Sequence, residues 1–238
     1  MGDYLVFQLY APLVSWGTQA VGQERPSEDH PGRSALLGLL AAALGIDRQD
    51  EDQHFALSLA CRFGIKLYAP GLALRDFHTT QVPPSARNTV YRKTRRDELR
   101  ESKLGTMLSF RSYQQDALSV VAISSTDDAY SLETLRTALA EPCYHLYLGR
   151  KSCPLAAPLN PKIVQAGNLK QALDSYGIDE ALIRFKQDQP RYYWEQMENP
   201  GMTHSYHAPR YDQPISRKRW QFNSRQEYVL LGGDDVSK

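Results

Sequence analysis

From Tyr4 to Tyr10 the side chains alternate, with Leu5, Phe7 and Leu9 on one face and Tyr4, Val6, Gln8 and Tyr10 on the other. A period of two predicts a strand. Pro12 and Trp16-Gly17 end it, and a polar, proline-containing loop runs on to Arg33. Ser34 is placed as the N-cap of a helix over 35–44, closed by Gly45 just past its end. That helix is apolar on every side, so both its faces must be covered. Gly38, Ala41 and Ala42 recur at spacings of three and four, which lets another backbone approach. A second strand is expected over 58–68, a turn at Pro70-Gly71, and a third strand, rich in Val and Ile, over 117–123. Ser131 caps a second helix over 132–140, where Leu132, Leu135 and Leu139 fall at helical spacing and Pro142 lies beyond the stop. A strand through 143–148 follows.

The order β-α-β-(insert)-β-α-β predicts an α+β, ferredoxin-like βαββαβ domain over 1–148, with an insertion at about 76–112. The remainder, 149–238, is broken by Pro154, Pro158, Pro161, Pro190, Pro200, Pro209 and Pro214. Within it 169–175 and 179–185 read as helical, and 220–222 and 228–231 as short strands. The expectation is a small, irregular β-rich subdomain packed on the first.

The insertion changes the picture most. From Arg75 to Arg111, nine cations (Arg75, Arg87, Arg92, Lys93, Arg95, Arg96, Arg100, Lys103, Arg111) oppose Asp76, Asp97, Glu98 and Glu101, a net of +5 on a chain whose 28 cations and 27 acids nearly cancel. The stretch lacks apolar periodicity but is bracketed by apolar segments, so it reads as an arm leaving a folded body. Seven of its cations are Arg, whose planar fork matches phosphate oxygens, so a polyphosphate is the expected partner. A solvated surface hairpin is the plain alternative.

The rest of the composition is that of a soluble globular protein, 42% apolar and 23% charged over 238 residues. Cys61, Cys143 and Cys153 form no C-x-x-C pair, which argues against a disulfide framework or structural zinc and for a reducing compartment. No basic leader precedes the first apolar run, and the apolar run at 35–44 is too short to cross a bilayer. A cytoplasmic protein with no membrane partner, cofactor or metal is expected.

Candidate chemistry is sparse. Tyr147-Leu148-Gly149-Arg150-Lys151-Ser152-Cys153-Pro154 sets one glycine beside two cations and a hydroxyl, a composition that suits a phosphate-holding turn. It equally suits a turn that merely ends a strand, and it is not a Walker loop. Arg33 and Ser34, at a helix N-terminus, could hold an anion or simply cap the helix. His78, beside Arg75 and Asp76, is the one candidate general acid or base for cleavage through a ribose 2′-OH, but no second partner stands at a telling spacing. His204 and His207 lack neighbouring ligands for a metal. No G-x-S-x-G, H-E-x-x-H, dinucleotide fingerprint or RRM signature occurs.

Several segments together resemble one family. Pro12-Leu13-Val14-Ser15-Trp16-Gly17, Arg25-Pro26 and Arg33-Ser34-Ala35-Leu36-Leu37-Gly38-Leu39-Leu40 are similar to the N-terminal region of CasD-family subunits of type I-E CRISPR Cascade complexes. Leu74-Arg75-Asp76-Phe77-His78-Thr79 and Tyr147 to Leu155 resemble two further hallmarks. The similarity runs from residue 4 to about 158, with a weaker echo over 224–237. It implies a RAMP-superfamily fold with a β-hairpin thumb at the basic arm. It also implies a subunit that binds and caps the CRISPR RNA 5′ handle beside a CasA-type large subunit and a CasC-type backbone subunit, with target DNA nearby. The thumb over 80–108, with Pro83-Pro84, departs from the family. The expected RNA-binding residues are Arg25, Arg33, Ser34, Arg75, His78, Arg92, Arg95, Arg96, Arg111, Tyr147, Gly149, Arg150, Lys151 and Ser152. Two functions compete: a non-catalytic RNA-binding scaffold, and a metal-independent endoribonuclease as in type I-C relatives, for which His78 would be the catalytic candidate. The scant acid–base inventory favours the scaffold. A plain protein adaptor leaves the arginines unexplained.

Overall fold

The computed structural model describes residues 1–84, 91–100 and 103–232; Arg87 and Glu101 of the basic stretch, and residues 233–237 of the C-terminal echo, lie outside them. In chain order the elements are β1 (Gly2–Val14), the short strands β2 (Trp16–Gly17), β3 (Glu24–Arg25) and β4 (Ser27–Glu28), then α1 (Arg33–Leu44) and α2 (Glu51–Ala60). They continue with β5 (Cys61–Ala69), β6 (Leu72–Val82), a single turn α3 (Arg95–Glu98), β7 (Gly105–Ser125) and α4 (Leu132–Ala140). The C-terminal part holds β8 (Lys162–Ala166), α5 (Leu169–Ser175), β9 (Arg191–Trp194), β10 (Tyr206–Ser216) and β11 (Gln221–Leu230).

One mixed sheet organises the chain, in the order β10-β11-β9-β5-β7-β1-β8, with β3 and β6 also paired to β7. In its centre every neighbour is antiparallel: β8 with β1, β1 with β7, β7 with β5. The alternation of β1 splits its side chains between two cores as expected. Leu5, Phe7 and Leu9 pack under α1, α2 and α4, and Val6 and Tyr10 pack with Leu169, Ala172 and Leu173 of α5 on the other face. α1 is covered by α2, α4 and β10 as well as by the sheet, which accounts for its apolar girth.

Several expectations give way here. α1 begins at Arg33, so its N-cap is Gly32 and not Ser34; the first-turn N–H of Arg33 donates to the Asp212 carboxylate at 2.7 Å. A tertiary acceptor has taken the capping role. Residues 58–60 end a helix rather than begin a strand, and α2 was missed although Asp50 caps it by accepting from Gln53 N–H at 3.0 Å. The strand expected over 143–148 is absent, apart from a single bridge between Tyr147 and Pro154; the fourth central strand is β8. β1 runs through Pro12 to Val14, because β8 pairs with it only as far as Val6, the 156–159 segment bonds it at Gln8 and Tyr10, and the β7 register opens opposite Pro12, at Asp116, whose φ is 56°. The two short strands expected near the C-terminus are one, β11. Its partner β10 tolerates Pro209 and Pro214 because it lies at the sheet edge. Residues beyond 149 continue the main sheet through β8 and β9, so the sheet crosses the boundary expected at 148.

Candidate nucleic-acid interface

The basic arm is built mainly from β6 and the first half of β7. All of β6 pairs with that half, from Leu72 opposite Gln115 to Val82 opposite Gly105, while the second half of β7 is buried between β1 and β5. A strand of 21 residues therefore belongs to two environments, which is why only its apolar part, 117–123, was legible as strand. Near the tip Thr94 caps α3 in a reciprocal capping box with Asp97. Arg95 there donates to Glu98 at 2.5 Å and to the Gln81 carbonyl. Arg92 and Arg96 lie in the same segment, away from the root of the ribbon.

At the root, four segments meet. Arg25 of β3 stands in register with Arg111 of β7, and Arg111 with Asp76 of β6. Arg75 lies over the Phe110 ring, 4.2 Å from its centroid, and pairs with Glu24 at 2.6 Å. Arg150 lies over Tyr113 at 5.1 Å, with Nη2 donating to the Arg25 carbonyl at 3.4 Å. Arg25, Arg111 and Arg150, separated by up to 125 residues in sequence, thus share one face of the ribbon root, whereas Arg75, with Glu24 and Phe110, lies on the opposite face. Phe110 and Tyr113 beneath the guanidinium groups were missed; their signal was aromatic residues interleaved with arginine. His78 bonds to Asp76 through Nε2 on the same ribbon.

The Tyr147–Pro154 segment is a docked loop. The Ser15 N–H donates to the Leu148 carbonyl at 3.1 Å, the Leu148 N–H to Cys153 at 2.8 Å, and the Cys153 N–H to Arg150 at 2.8 Å. Ser15 Oγ in turn donates to the Ser112 carbonyl at 3.0 Å, which ties the loop to the ribbon root. Gly149 has φ 87°, and a Cβ there would overlap the Ser15 carbonyl oxygen, so glycine is required twice over. Lys151 and Ser152 are exposed beside it, and Tyr147 is partly so.

Arg33 does not join this surface, and Ser34 follows it in the first turn of α1. Arg33 is 4% exposed; it donates to Glu195 at 2.6 Å and to the Ser58 and Cys61 carbonyls, which leaves no open side for RNA. Around it Asp212 accepts from Arg225 at 2.6 Å, Glu227 from Arg225 at 2.8 Å, and His30 lies 3.0 Å from Glu227. Burial alone would push the Glu227 carboxyl up, but the hydrogen bond and charge of His30 together with Arg210 and Arg225 outweigh it and bring it down to about 2. Burial likewise pulls His30 down, and its bonds to Asp29 and Glu227 overcome that and raise it.

Comparison with known proteins agrees with this architecture. Residues 4–228 match the family described as CRISPR-associated protein (Cas_Cas5). The chain is 33% identical, over the full length of both, to the CRISPR system Cascade subunit CasD of Escherichia coli K12. A solved CRISPR RNA-guided surveillance complex contains a chain with TM-score 0.68 and 26% identity, covering 96% of this chain and 90% of its own. A second solved Cas protein, 23% identical, shares the fold at TM-score 0.59, covering 96% and 94%. With a family match over nearly all its length and a full-length relative at one-third identity, the chain belongs to the Cas5 family of CRISPR-associated proteins.

Proposed function

We propose that this chain is a non-catalytic RNA-binding subunit of a type I-E CRISPR surveillance complex, one that holds and caps the 5′ handle of the CRISPR RNA. In this reading the β8-β1-β7-β5 core with its two crossover connections is a ferredoxin-like RAMP domain, and the β6–β7 ribbon is its thumb. Neighbours are a CasA-type large subunit and a CasC-type backbone subunit, with target DNA passing close by. The observation that carries the proposal is the convergence of Arg25, Arg111 and Arg150 on one face of the ribbon root, against a glycine-dependent loop. Arg150, laid over the Tyr113 ring, meets no carboxylate among the described residues, so its fork can turn to phosphate oxygens.

If the ribbon root and the loop neutralise about four phosphates, log K falls with log salt at a slope of roughly −3, a loss on the order of 60-fold between 50 and 200 mM. A flat titration with the assembled handle overturns the electrostatic reading. Sequencing RNA that co-purifies with the tagged chain tests the handle assignment, which predicts repeat-derived 5′ ends. Incubation with a repeat-containing precursor, without metal, should yield no cleavage. Specific cleavage abolished by His78→Ala would make the chain a nuclease instead.

A further inference from the structure

The β10–β11 hairpin turn, Arg217-Lys218-Arg219-Trp220, carries a second group of cations that the ribbon and loop do not use. Arg217 lies half-buried against Gly38 of α1, with Nη2 donating to the Ser34 carbonyl at 3.1 Å. Arg33, Lys66, Arg210 and Arg225 each meet a carboxylate. Arg217 meets none among the described residues. The ionisable groups that face it are Arg48, His54 and Tyr147. Burial, and then the Arg48 charge, pull the Arg217 pKa down. His54 is lowered by burial and then by Arg217, its buried Nε2 has no partner, and an imidazole, neutral or cationic, supplies no negative charge. Nearby carboxylates are engaged elsewhere. Glu51 accepts from Ser216 Oγ and the Lys218 N–H, Asp50 caps α2, and Asp47 accepts from the Gln49 N–H. A desolvated cation beside a second cation is unfavourable unless an anion arrives.

An aromatic surface stands beside this nook. Trp220 is 58% exposed, and the Arg48 guanidinium lies 4.7 Å from its ring centroid. Its φ is 57°, a left-handed position where glycine or asparagine would be unstrained. The turn thus carries its largest side chain at the backbone position least suited to it, and presents the ring to solvent. An acidic peptide would use the cations but not the indole. A nucleotide uses both, since a phosphodiester accepts from guanidinium forks while its base stacks on the ring.

We propose that Arg48, Arg217 and Trp220 form a second contact for single-stranded nucleic acid, taking one phosphodiester between the two guanidinium groups and stacking one base on Trp220. Tyr147, on the loop assigned to the handle, acts electrostatically on Arg217, and the inference rests on the RNA-binding reading in taking the bound strand to continue from that loop to the nook. Labelled single-stranded RNA and DNA of one sequence are titrated by anisotropy against the parent chain, Arg48→Glu, Trp220→Ala and, separately, Gly149→Val. Arg48 and Trp220 are exposed, so these two variants fold, and circular dichroism checks it. Trp220→Ala should weaken binding about tenfold, and Arg48→Glu at least as much with a shallower salt slope. Nucleic acid should quench tryptophan fluorescence in the parent and not in Trp220→Ala, because Trp16 and Trp194 are buried. Loss with RNA assigns the strand to RNA, and loss with DNA alone assigns it to DNA; either supports the site. A silent Gly149→Val beside a weakened Trp220→Ala removes the handle reading and leaves the nook. Parental affinity and salt slope in both nook variants overturn the proposal. So does a polyglutamate peptide that displaces the oligonucleotide without any Trp220-dependent quenching, because the surface then takes acidic protein.

Discussion

Two regions of this molecule are rich in arginine, and they use it in opposite ways. Beneath the start of α1, Arg33 and Arg225 face Glu195, Asp212 and Glu227 at 2.5–2.9 Å, all nearly sealed from solvent. On the ribbon, Arg75, Arg95 and Arg100 are about half to two-thirds exposed, and their carboxylate partners are exposed as well. Exposed pairs of that kind contribute ~0–1 kcal/mol each, because water screens them and long side chains lose freedom. Buried pairs have given up hydration, so they fix geometry strongly while adding little net stability over an apolar filling. The difference teaches that a count of arginines locates no ligand. What matters is whether the pair is sealed from solvent, as at Arg33, or exposed, where a phosphate can displace the carboxylate.

The sharpest way to break the comparison is Glu195→Ala, which strands Arg33 as a buried, uncompensated charge. Urea unfolding should show a loss of about 3–5 kcal/mol, with RNA affinity unchanged where the protein remains folded. A loss below about 1 kcal/mol would mean that the cluster behaves like a surface pair. Gly149→Val comes next: strain at positive φ alone is worth about 1–3 kcal/mol, and the clash with Ser15 adds to it. It should lower both thermal stability and retained RNA, and retention of both would show that the loop is not needed in this form.

Acid separates the regions further. The folded Glu227 carboxyl is held at about 2, below its ordinary 4.5, so its contribution is complete above about 4.5 and is lost as pH falls through about 2. His30 is raised instead; its contribution is complete below its ordinary 6.5 and fades as pH rises through the folded value. Stability should therefore fall between about pH 4.5 and 2, and Glu227→Gln should flatten that fall in unfolding curves taken across the window. The smallest stability effect belongs to the ribbon: Arg92, Arg95 and Arg96 replaced by Glu should shift unfolding by no more than about 0.5 kcal/mol per site. The same variant should nonetheless hold less guide RNA per complex. Full occupancy at physiological salt would show that the ribbon tip is solvated surface.

Sequence by itself determined what depends on nearest neighbours along the chain. The alternation of β1, the Ser131 cap with α4, the α5 segment and the turn glycines Gly45, Gly71 and Gly149 were legible because period and turn chemistry are local properties, whereas Gly22 and Gly201, also at positive φ, were not read. Resemblance in the motifs around Trp16, Arg75 and Gly149 was likewise enough to name a family. What tertiary structure decided was who sits beside whom. Gly32 and Asp212, not Ser34, serve the start of α1, because a carboxylate 179 residues away reaches the Arg33 N–H. Arg33 left the candidate surface for the same reason, when Glu195 arrived with β9. β8 replaced the strand expected over 143–148 because β1 offered a free edge to Lys162–Ala166. Arg25, Arg111 and Arg150 became one surface only when β3, β7 and the Gly149 loop were brought together. Local periodicity specifies a segment's conformation, whereas burial of a charge and the pairing of an edge depend on partners that no window of sequence contains.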